Sequence, residues 1–296
     1  MDLVNIKAPA KINLALNVFG KMEDNYHRVE TVMQSISLFD DITIIKSKEP
    51  GISLSSNVNY LPLDGKNLAA KAAKLFFEEN GSVEDVEIQI VKKIPVGAGL
   101  GGGSADAAAV LLGLNMLFEA GFSIELLEKI AKRIGTDVAF CLRRGTYHAS
   151  GRGDDLKRVV NMPHCTFVVS KPQKSISTAT VYAKYDMFST DNPVDIRSLI
   201  SSFDSGIRDA IPYMKNMLQS NVLAEVPEMA DMLHDLIHYG ALTSLMTGSG
   251  TAVFGIFTSS KTALDCAKEM RKKYNRCFIS LAQPVSSDIH DVSINK

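Results

Sequence analysis

The sequence is short of cysteine, of long apolar runs and of net charge. Its four cysteines, Cys141, Cys165, Cys266 and Cys277, are far apart and form no Cys-x-x-Cys pair, so their spacing matches no common zinc or redox motif. We therefore expect buried, reduced thiols in a cytoplasmic protein. No apolar run is long enough to cross a bilayer, and the opening MDLVNIKAPAKINL lacks the basic and apolar regions of a signal peptide. We expect no membrane attachment.

Charge is almost balanced along the chain. The 32 basic and 33 acidic residues give a net charge of −1. Such a chain has no overall field to attract nucleic acid or an anionic membrane, so we expect neither as a partner. An anionic ligand would have to be held by local groups such as backbone amides.

Length and composition indicate two closely packed domains. The 296 residues are 46% hydrophobic and 22% charged, which is ordinary for a globular protein but long for one small core. A turn at Gly151-Arg152-Gly153 precedes a change in pattern near residues 155 to 165. We therefore predict domains at 1–158 and 159–296.

Hydrophobic periodicity predicts a mixture of strands and helices. In the first half we expect two short strands within Val4–Val18 joined at Ala8–Lys11, a polar loop Lys21–Arg28, strands Val32–Phe39, Ile42–Ile45 and Val86–Ile90, and helices at Asn67–Asn80, from Ser104 and from Ser123 to Gly135. In the second half we expect strands Thr166–Val169, Leu242–Met246, Ala252–Phe257 and Cys277–Leu281, and helices Ile196–Phe203, Ile207–Gln219, Met229–Tyr239 and Thr262–Tyr274. The β-β-α-β ending is typical of an α+β sheet with helices on one side.

A glycine-rich loop stands between a predicted strand and a predicted helix. Five of the seven residues Gly97 to Gly103 are glycine, and a helix-forming run starts at Ser104. Glycines let backbone N–H groups approach a ligand closely, and the free amides at a helix start favour an anion. The arrangement predicts a phosphate site, against the simpler alternative of a flexible linker.

Two familiar phosphate motifs do not fit this loop. Gly97, Gly99 and Gly102 match G-x-G-x-x-G, but a second helix follows where a Rossmann unit needs a strand ending in an acidic residue. Gly97 and Gly102 also have the spacing of a Walker A loop, but Gly103 stands where its lysine should be. A nucleotide bound here would meet a loop without its own lysine.

Three blocks resemble the motifs of GHMP kinases in the expected order. They are Ala8 to Leu14, Pro95 to Ala108 and Met246 to Gly255. The Gly-Gly-Gly-Ser form of the central loop resembles the branch that acts on 4-diphosphocytidyl-2-C-methyl-D-erythritol. Further stretches similar to that branch are Asn25-Tyr26-His27, Gly135 to Phe140, Gly151 to Asp154, and Ser177-Thr178 with Val181-Tyr182.

The resemblance implies an α+β fold of two domains, the first like ribosomal protein S5 and the second ferredoxin-like. It implies ATP-dependent phosphorylation of the 2-hydroxyl of that cytidylated alcohol, in the non-mevalonate route to isoprenoid precursors, with Mg²⁺ accompanying ATP and with monomer or homodimer left open. The implied ATP-binding residues are Pro95, Val96, Gly97, Ala98, Gly99, Leu100, Gly101, Gly102, Gly103, Ser104, Ala105, Asn67 and Lys92, with Ser104 also a candidate metal ligand. The implied substrate-binding residues are Asn13, Tyr26, His27, Asp137, Tyr182, Gly248 and Ser249.

Lys11 and Asp137 are the candidate catalytic residues. We expect Asp137 to lie between a helix and an apolar strand and to project from a loop as general base, although a Thr-Asp pair is also common in turns. Lys11 nearby would keep the carboxylate ionised. In this setting the resemblance implies that Tyr26 and Tyr182 sandwich the base and that His27 reads the cytosine edge.

Several alternatives stay open at this point. Asn25, Arg28, Ala105 and Ala139 depart from the residues we expect in this branch. A different GHMP kinase, acting on a sugar, homoserine or a mevalonate-type alcohol, is one alternative, and a nucleotide-binding regulator without catalysis is another. His234 and His238 have zinc-site spacing on a helix, but Asp235 replaces the glutamate of a zinc protease, which favours a solvated face.

Overall fold

The computed structural model describes residues 2–82, 84–188, 192–287 and 292–293. One antiparallel hairpin dominates the first half: β1 (Leu3–Lys21) pairs with β2 (His27–Lys46) over nearly its whole length. Instead of the two predicted short strands, β1 is continuous, with a register shift between Pro9 and Ala10. A proline has no N–H to give to a ladder, and the shift accommodates it inside one strand.

The other strands of the first sheet are β3 (Ile52–Ser56), β4 (Val86–Val91), β5 (Thr146–Ser150), β6 (Asp155–Arg158) and β11 (Val292–Ser293). The strand order in this sheet is β11-β1-β2-β4-β3, with β5 pairing with β2 and β6 with β5. The helices on it are α1 (Leu68–Asn80), α2 (Gly102–Leu117), α3 (Ile124–Ile134) and α4 (Val138–Arg143). The predicted helix α1 is confirmed, with Asn67 as its N-cap, and so is α3, capped by Ser123.

The strands of the second sheet are β7 (Thr166–Lys171), β8 (Thr243–Met246), β9 (Val253–Phe257) and β10 (Phe278–Ala282). The sheet is antiparallel, in the order β10-β7-β9-β8. Its helices are α5 (Thr178–Phe188), α6 (Ile196–Ser202), α7 (Ile207–Ala210), a 3₁₀ turn Ile211–Tyr213, α8 (Gln219–Leu223), α9 (Pro227–His238) and α10 (Ser260–Lys273). The predicted long helix Ile207–Gln219 is wrong, because Pro212 stands in the 3₁₀ turn that ends α7.

Alternating side chains of the second sheet belong to different cores. Phe167 and Phe254 join Ile12 of β1 in the core between the two halves of the protein. Val168 and Val253 face a core that includes residues of α9 and α10. Because successive side chains of a strand point to opposite faces, the second sheet packs against β1 on one face and against helices on the other. The predicted domain boundary at residue 158 coincides with the end of β6. It stays a prediction, because β11, which comes after the second sheet in sequence, pairs with β1 of the first sheet. None of the helices in the described ranges is long and apolar enough to cross a membrane.

Candidate active site

Lys11 lies on β1 directly beside the glycine loop. Its backbone N–H donates to the carbonyl of Leu100 at 2.9 Å, and its side chain is only 6% exposed. Gly101 adopts φ +69°, and a β-carbon there would come within 2.8 Å of Lys11 Cγ. The glycine therefore gives the lysine side chain the space to pass under the loop.

Asp137 faces Lys11 across the cleft. Its Oδ2 lies 3.3 Å from Lys11 Nζ, and its side chain is 31% exposed. The prediction of a strand after Asp137 is wrong: the residue directly precedes helix α4, and the cysteine one turn later, Cys141, is buried. Burial raises the pKa of the Cys141 thiol, so it stays an uncharged part of the core beneath the pair.

Asn13 holds the lysine rather than leaving its own side chain free. Lys11 Nζ donates to Asn13 Oδ1 at 2.8 Å, and Asn13 Nδ2 donates to Thr31 Oγ1 at 2.8 Å. The backbone N–H of Asn13 donates to Thr247 Oγ1 at 3.0 Å. In this structure Asn13 therefore positions Lys11 and joins β1 to the loop that contains Thr247.

The central loop ends in free backbone amides. Helix α2 starts at Gly102, two residues before the predicted start at Ser104, and its N-cap Gly101 provides no side-chain acceptor. Amide groups at the N-terminus of a 16-residue helix favour a phosphate. Within this loop Ala98, Leu100 and Ala105 are buried, whereas Val96 is exposed.

The loop at Thr247 to Thr251 packs against the central loop. The N–H of Ala252 donates to the carbonyl of Ala98 at 3.1 Å. Asn216, to which no sequence motif points, donates from Nδ2 to the carbonyls of Met246 and Gly248 at 2.9 and 2.8 Å. Ser249 Oγ lies 2.8 Å from Thr178 Oγ1 at the start of α5.

These elements surround a cleft of about 790 Å³. The Lys11–Asp137 pair lines it together with Tyr26 and His27. Of the predicted site residues, it is lined by Lys11, Asn13, Tyr26, His27, Gly97, Gly99, Gly101, Asp137, Tyr182, Gly248 and Ser249.

One part of the cleft wall, here called the aromatic end, is formed by Tyr26, His27 and Tyr182. Tyr26 is 55% exposed on the tight turn before β2, in which Asn25 adopts φ +65°. Asparagine tolerates this left-handed conformation, so the turn forms without a glycine at position 25. Arg152 lies 5.6 Å from the centre of the Tyr26 ring and also lines the cleft. The sequence showed its turn but no role for its side chain.

His27 and Tyr182 pack against each other on the inner wall. Their ring centres are 4.8 Å apart and their planes are tilted by 32°. Burial raises the pKa of the Tyr182 hydroxyl, and the nearby Asp137 carboxylate adds to the effect. Tyr182 is thus close both to His27 and to Asp137 of the catalytic pair. A second residue not singled out from the sequence, Asp186, is bonded to His27; it lies one helical turn after Tyr182, the spacing that puts two side chains on one face.

Comparison with known proteins identifies the family. A model described as the GHMP kinases N terminal domain matches residues 67–145, and one described as GHMP kinases C terminal matches residues 200–276. A 4-diphosphocytidyl-2-C-methyl-D-erythritol kinase of Syntrophomonas wolfei subsp. wolfei is 40% identical over 275 residues, which cover 93% of this chain and 96% of the relative. That of Clostridium tetani is 40% identical over 278 residues, covering 94% and 99%.

The chain belongs to the 4-diphosphocytidyl-2-C-methyl-D-erythritol kinase family.

Solved structures agree with this family and confirm the predicted two-domain α+β GHMP kinase fold. A crystal structure of 4-(cytidine 5′-diphospho)-2C-methyl-D-erythritol kinase is 32% identical and has a TM-score of 0.79. The match covers 95% of this chain and 100% of the other. A homoserine kinase of Cytophaga hutchinsonii has a TM-score of 0.75 at 19% identity, covering 97% of this chain and 95% of its own, which shows a shared fold alone.

Of the predicted ATP-binding residues, only Gly97, Gly99 and Gly101 line the cleft, and the two predicted outside the loop, Asn67 and Lys92, are bonded elsewhere. Asn67 caps α1 through Ala69 N and donates to the carbonyl of Pro62. Lys92 is buried, and its Nζ lies 2.5 Å from Asp40 Oδ2 and 2.7 Å from Asp106 Oδ2. Burial raises the pKa of Asp106 to about 7, although Lys92 opposes the shift. Lys92 therefore packs against the start of α2: it is bonded to Asp106 of that helix, and a β-carbon at Gly102 would lie 3.2 Å from its Nζ.

The described residues do not fit a resident metal site. Ser104 lies at the start of α2, but the nearest acidic residue along the helix, Asp106, is buried and bonded to Lys92. No group of three His, Cys, Asp or Glu side chains within the described ranges could hold a metal ion. His234 and His238 stack with ring centres 6.3 Å apart, without a third such ligand in the part of the chain described. Mg²⁺ therefore stays a prediction.

Proposed function

We propose that this protein transfers the γ-phosphate of ATP to the 2-hydroxyl of 4-diphosphocytidyl-2-C-methyl-D-erythritol, a step of the non-mevalonate route to isoprenoid precursors. The observation that carries the proposal is that the Lys11–Asp137 pair, glycines of the loop Gly97–Gly103 and the aromatic end all line the same cleft. Its family relatives, 40% identical along nearly their full length, carry the name of this kinase.

The phosphates of ATP would lie at the central loop. The backbone amides at the start of α2 would donate hydrogen bonds to the phosphate oxygens and partly balance their negative charge. The loop itself has no lysine that could do so. Mg²⁺ would arrive bound to those phosphates, as it prefers phosphate oxygens and water to an all-protein site. This part of the proposal is supported by the helix geometry and by the kinase family.

The alcohol would be activated by the catalytic pair. Asp137 Oδ2 accepts the proton of the attacking hydroxyl, and the oxygen of that hydroxyl bonds to the γ-phosphorus as the bond to the ADP oxygen breaks. Lys11 Nζ, 3.3 Å from Asp137, lies where charge develops on the attacking oxygen. Asn13 keeps the ammonium group pointed toward the carboxylate.

The cytidyl group would occupy the aromatic end. Tyr26 is exposed and can stack on a pyrimidine, with Tyr182 as the opposite face and His27 at the base edge. Binding energy from this remote group would orient the alcohol at Asp137. Residence in the cytoplasm stays a prediction of the sequence, which leaves monomer or homodimer open.

Product analysis tests the reaction. The protein is incubated with ATP and the cytidylated alcohol, and the product is examined by ³¹P and ¹³C NMR. A new phosphomonoester coupled to C2 of the alcohol is expected. Phosphorylation at another carbon would contradict the assigned hydroxyl, and ATP binding without transfer to any alcohol would favour the regulator alternative.

A further inference from the structure

His27 is held by a carboxylate that also holds a lysine. Asp186, near the end of α5, has its Oδ1 2.5 Å from His27 Nε2 and its Oδ2 2.7 Å from Lys21 Nζ. Each carboxylate oxygen therefore has its own partner. Neither Asp186 nor Lys21 has a part in the phosphate transfer described above, yet both line the cleft at its base-binding end.

We propose that Asp186 is a positioning residue that fixes the tautomer of His27, so that the cleft accepts cytosine and rejects uracil. The proposal rests on the proposed function, because it assigns the base preference of the same site.

The tautomer follows from what each group can donate. An ionised carboxylate only accepts hydrogen bonds, so the hydrogen between Asp186 and His27 must be on Nε2 of the imidazole. Hydrogen bonds from Lys21 and then from His27 lower the pKa of the Asp186 carboxyl, which keeps it ionised at neutral pH. In the neutral imidazole the other nitrogen, Nδ1, then has a lone pair and accepts.

The ring is also fixed in place. Tyr182 packs on it at 4.8 Å between centres, and the Tyr185 ring meets it edge-on at 6.2 Å. Tyr185 is itself anchored, because its hydroxyl donates to the carbonyl of Val18 at 2.7 Å. His27 is 8% exposed and lines the cleft, and within the described ranges Nδ1 has no hydrogen-bond partner.

The free acceptor distinguishes the two pyrimidines. Cytosine carries an exocyclic amine that donates at its pairing edge, whereas uracil carries a carbonyl oxygen at that position, as thymine does. An acceptor at Nδ1 can bond the amine but repels the carbonyl. A site built to bond one group discriminates strongly against an analogue that leaves its polar atoms unpaired.

The test uses Asp186→Asn, which keeps the shape and changes the donor pattern. Because the Lys21 ammonium group can only donate hydrogen bonds, it will stay bonded to the one oxygen of the new amide. The amide NH₂ will then face His27. Nε2 must then accept, which moves the hydrogen to Nδ1. The ratio of kcat/KM for the cytidylated alcohol to kcat/KM for its uridine analogue is expected to fall at least about tenfold. The KM for ATP should stay unchanged.

A second substitution should restore the ratio. In Lys21→Met the competing donor is gone, so in the double variant with Asp186→Asn the amide can rotate and present its oxygen to His27. The ratio of the double variant is expected to return to within about threefold of the ratio of Lys21→Met alone. Asp204→Asn, on the exposed turn after α6, is the matched control for the isosteric change.

The tautomer itself is measured without substrate, by ¹⁵N NMR of the imidazole at alkaline pH, with His27 assigned through His27→Gln. The wild type should show a hydrogen on Nε2 and Asp186→Asn a hydrogen on Nδ1. A hydrogen on Nδ1 in the wild type would overturn the proposal. So would equal losses for both alcohols in Asp186→Asn without rescue, which would mean that Asp186 only anchors α5. A wild type that uses both nucleotide forms equally refutes the base preference and leaves the kinase function standing, whereas one that uses neither refutes both.

Discussion

Gly99 lies so close to Thr247 that a β-carbon at position 99 would come within 2.2 Å of the Thr247 carbonyl oxygen. The two glycine loops are therefore in direct backbone contact, although they are separated by nearly half the chain. Thr247 Oγ1 also receives the N–H of Asn13, which places the first motif in the same assembly. The central loop Gly97–Gly103, strand β1 with Lys11 and the loop Thr247–Thr251 must consequently be positioned together.

Gly99→Ala should disrupt this assembly. The new methyl group would clash with Thr247, and we expect this overpacking to lower the unfolding free energy by about 1–3 kcal/mol, in addition to the strain of placing alanine at a positive φ. ATP binding should also weaken. Gly121→Ala is the matched control, because Gly121 has φ +68° against +74° for Gly99, and a β-carbon at Gly121 would have no atom within 4 Å. Chemical denaturation and calorimetry with ATP measure both effects. Equal stability and ATP affinity in the two variants would contradict the contact.

Asp137→Asn should remove the general base while keeping the shape of the site. We expect kcat to fall at least about a hundredfold, because an amide cannot take the hydroxyl proton. The Kd for ATP should change little. Asp265→Asn, an exposed aspartate on α10, controls for the loss of one charge. Near-normal turnover in the purified Asp137 variant would remove this residue from its proposed role.

Asn216→Ala should loosen the third loop. The substitution leaves the carbonyls of Met246 and Gly248 without their donor, and a buried acceptor left unpaired costs about 1–3 kcal/mol. Because Gly248 lines the cleft, kcat/KM for the alcohol should also fall. Asn161→Ala, at an exposed position, is the comparison. If the two variants match in stability and in kcat/KM, Asn216 does not support the loop.

Asp106 should make stability depend on pH near neutrality. Its pKa is raised from 3.8 to about 7 in the folded protein, so the folded state binds this proton more tightly than the unfolded state. That stabilisation is complete below the unfolded pKa and is lost as the pH rises to about 7. Asp40 and Lys92, the charged neighbours, remain in Asp106→Asn, which has no proton to lose here.

We therefore expect the Tm of the wild type to fall relative to that of Asp106→Asn between about pH 4 and pH 7, and the difference to level off above that. Thermal unfolding of both proteins in a series of buffers measures the difference, and histidine titration cancels because both share it. A difference that is constant with pH, or that grows in favour of the wild type, would contradict the raised pKa.

The sequence predicted local structure well where one signal was strong. Helix α3 has a serine N-cap and an apolar face, and it lies where those signals place it. Pairing between distant segments was less accessible: β5 and β6 were missed because strand partners, rather than local alternation, define such short strands. Helix α5 was missed because nothing in Thr178–Phe188 gives a clear apolar face.

The candidate site shows the same division. The glycine loop has a distinctive local pattern of its own, whereas Asp137, in a Thr-Asp pair that is also common in turns, was favoured through the resemblance to GHMP kinases, with Lys11 as its partner. Asp186 and Asn216 act through partners far away in sequence, 159 residues to His27 and 30 residues to Met246. A single aspartate or asparagine in a helical or loop segment gives no local sign of such a partner.

The proposed substrate is tested most directly by a comparison of kcat/KM, measured by ADP release, for 4-diphosphocytidyl-2-C-methyl-D-erythritol, the bare methylerythritol, homoserine and mevalonate at matched ATP. We expect the cytidylated alcohol to exceed each of the others by at least about a hundredfold, because the remote base orients the reacting hydroxyl. Equal or better turnover of any of the other three alcohols would contradict the proposed substrate.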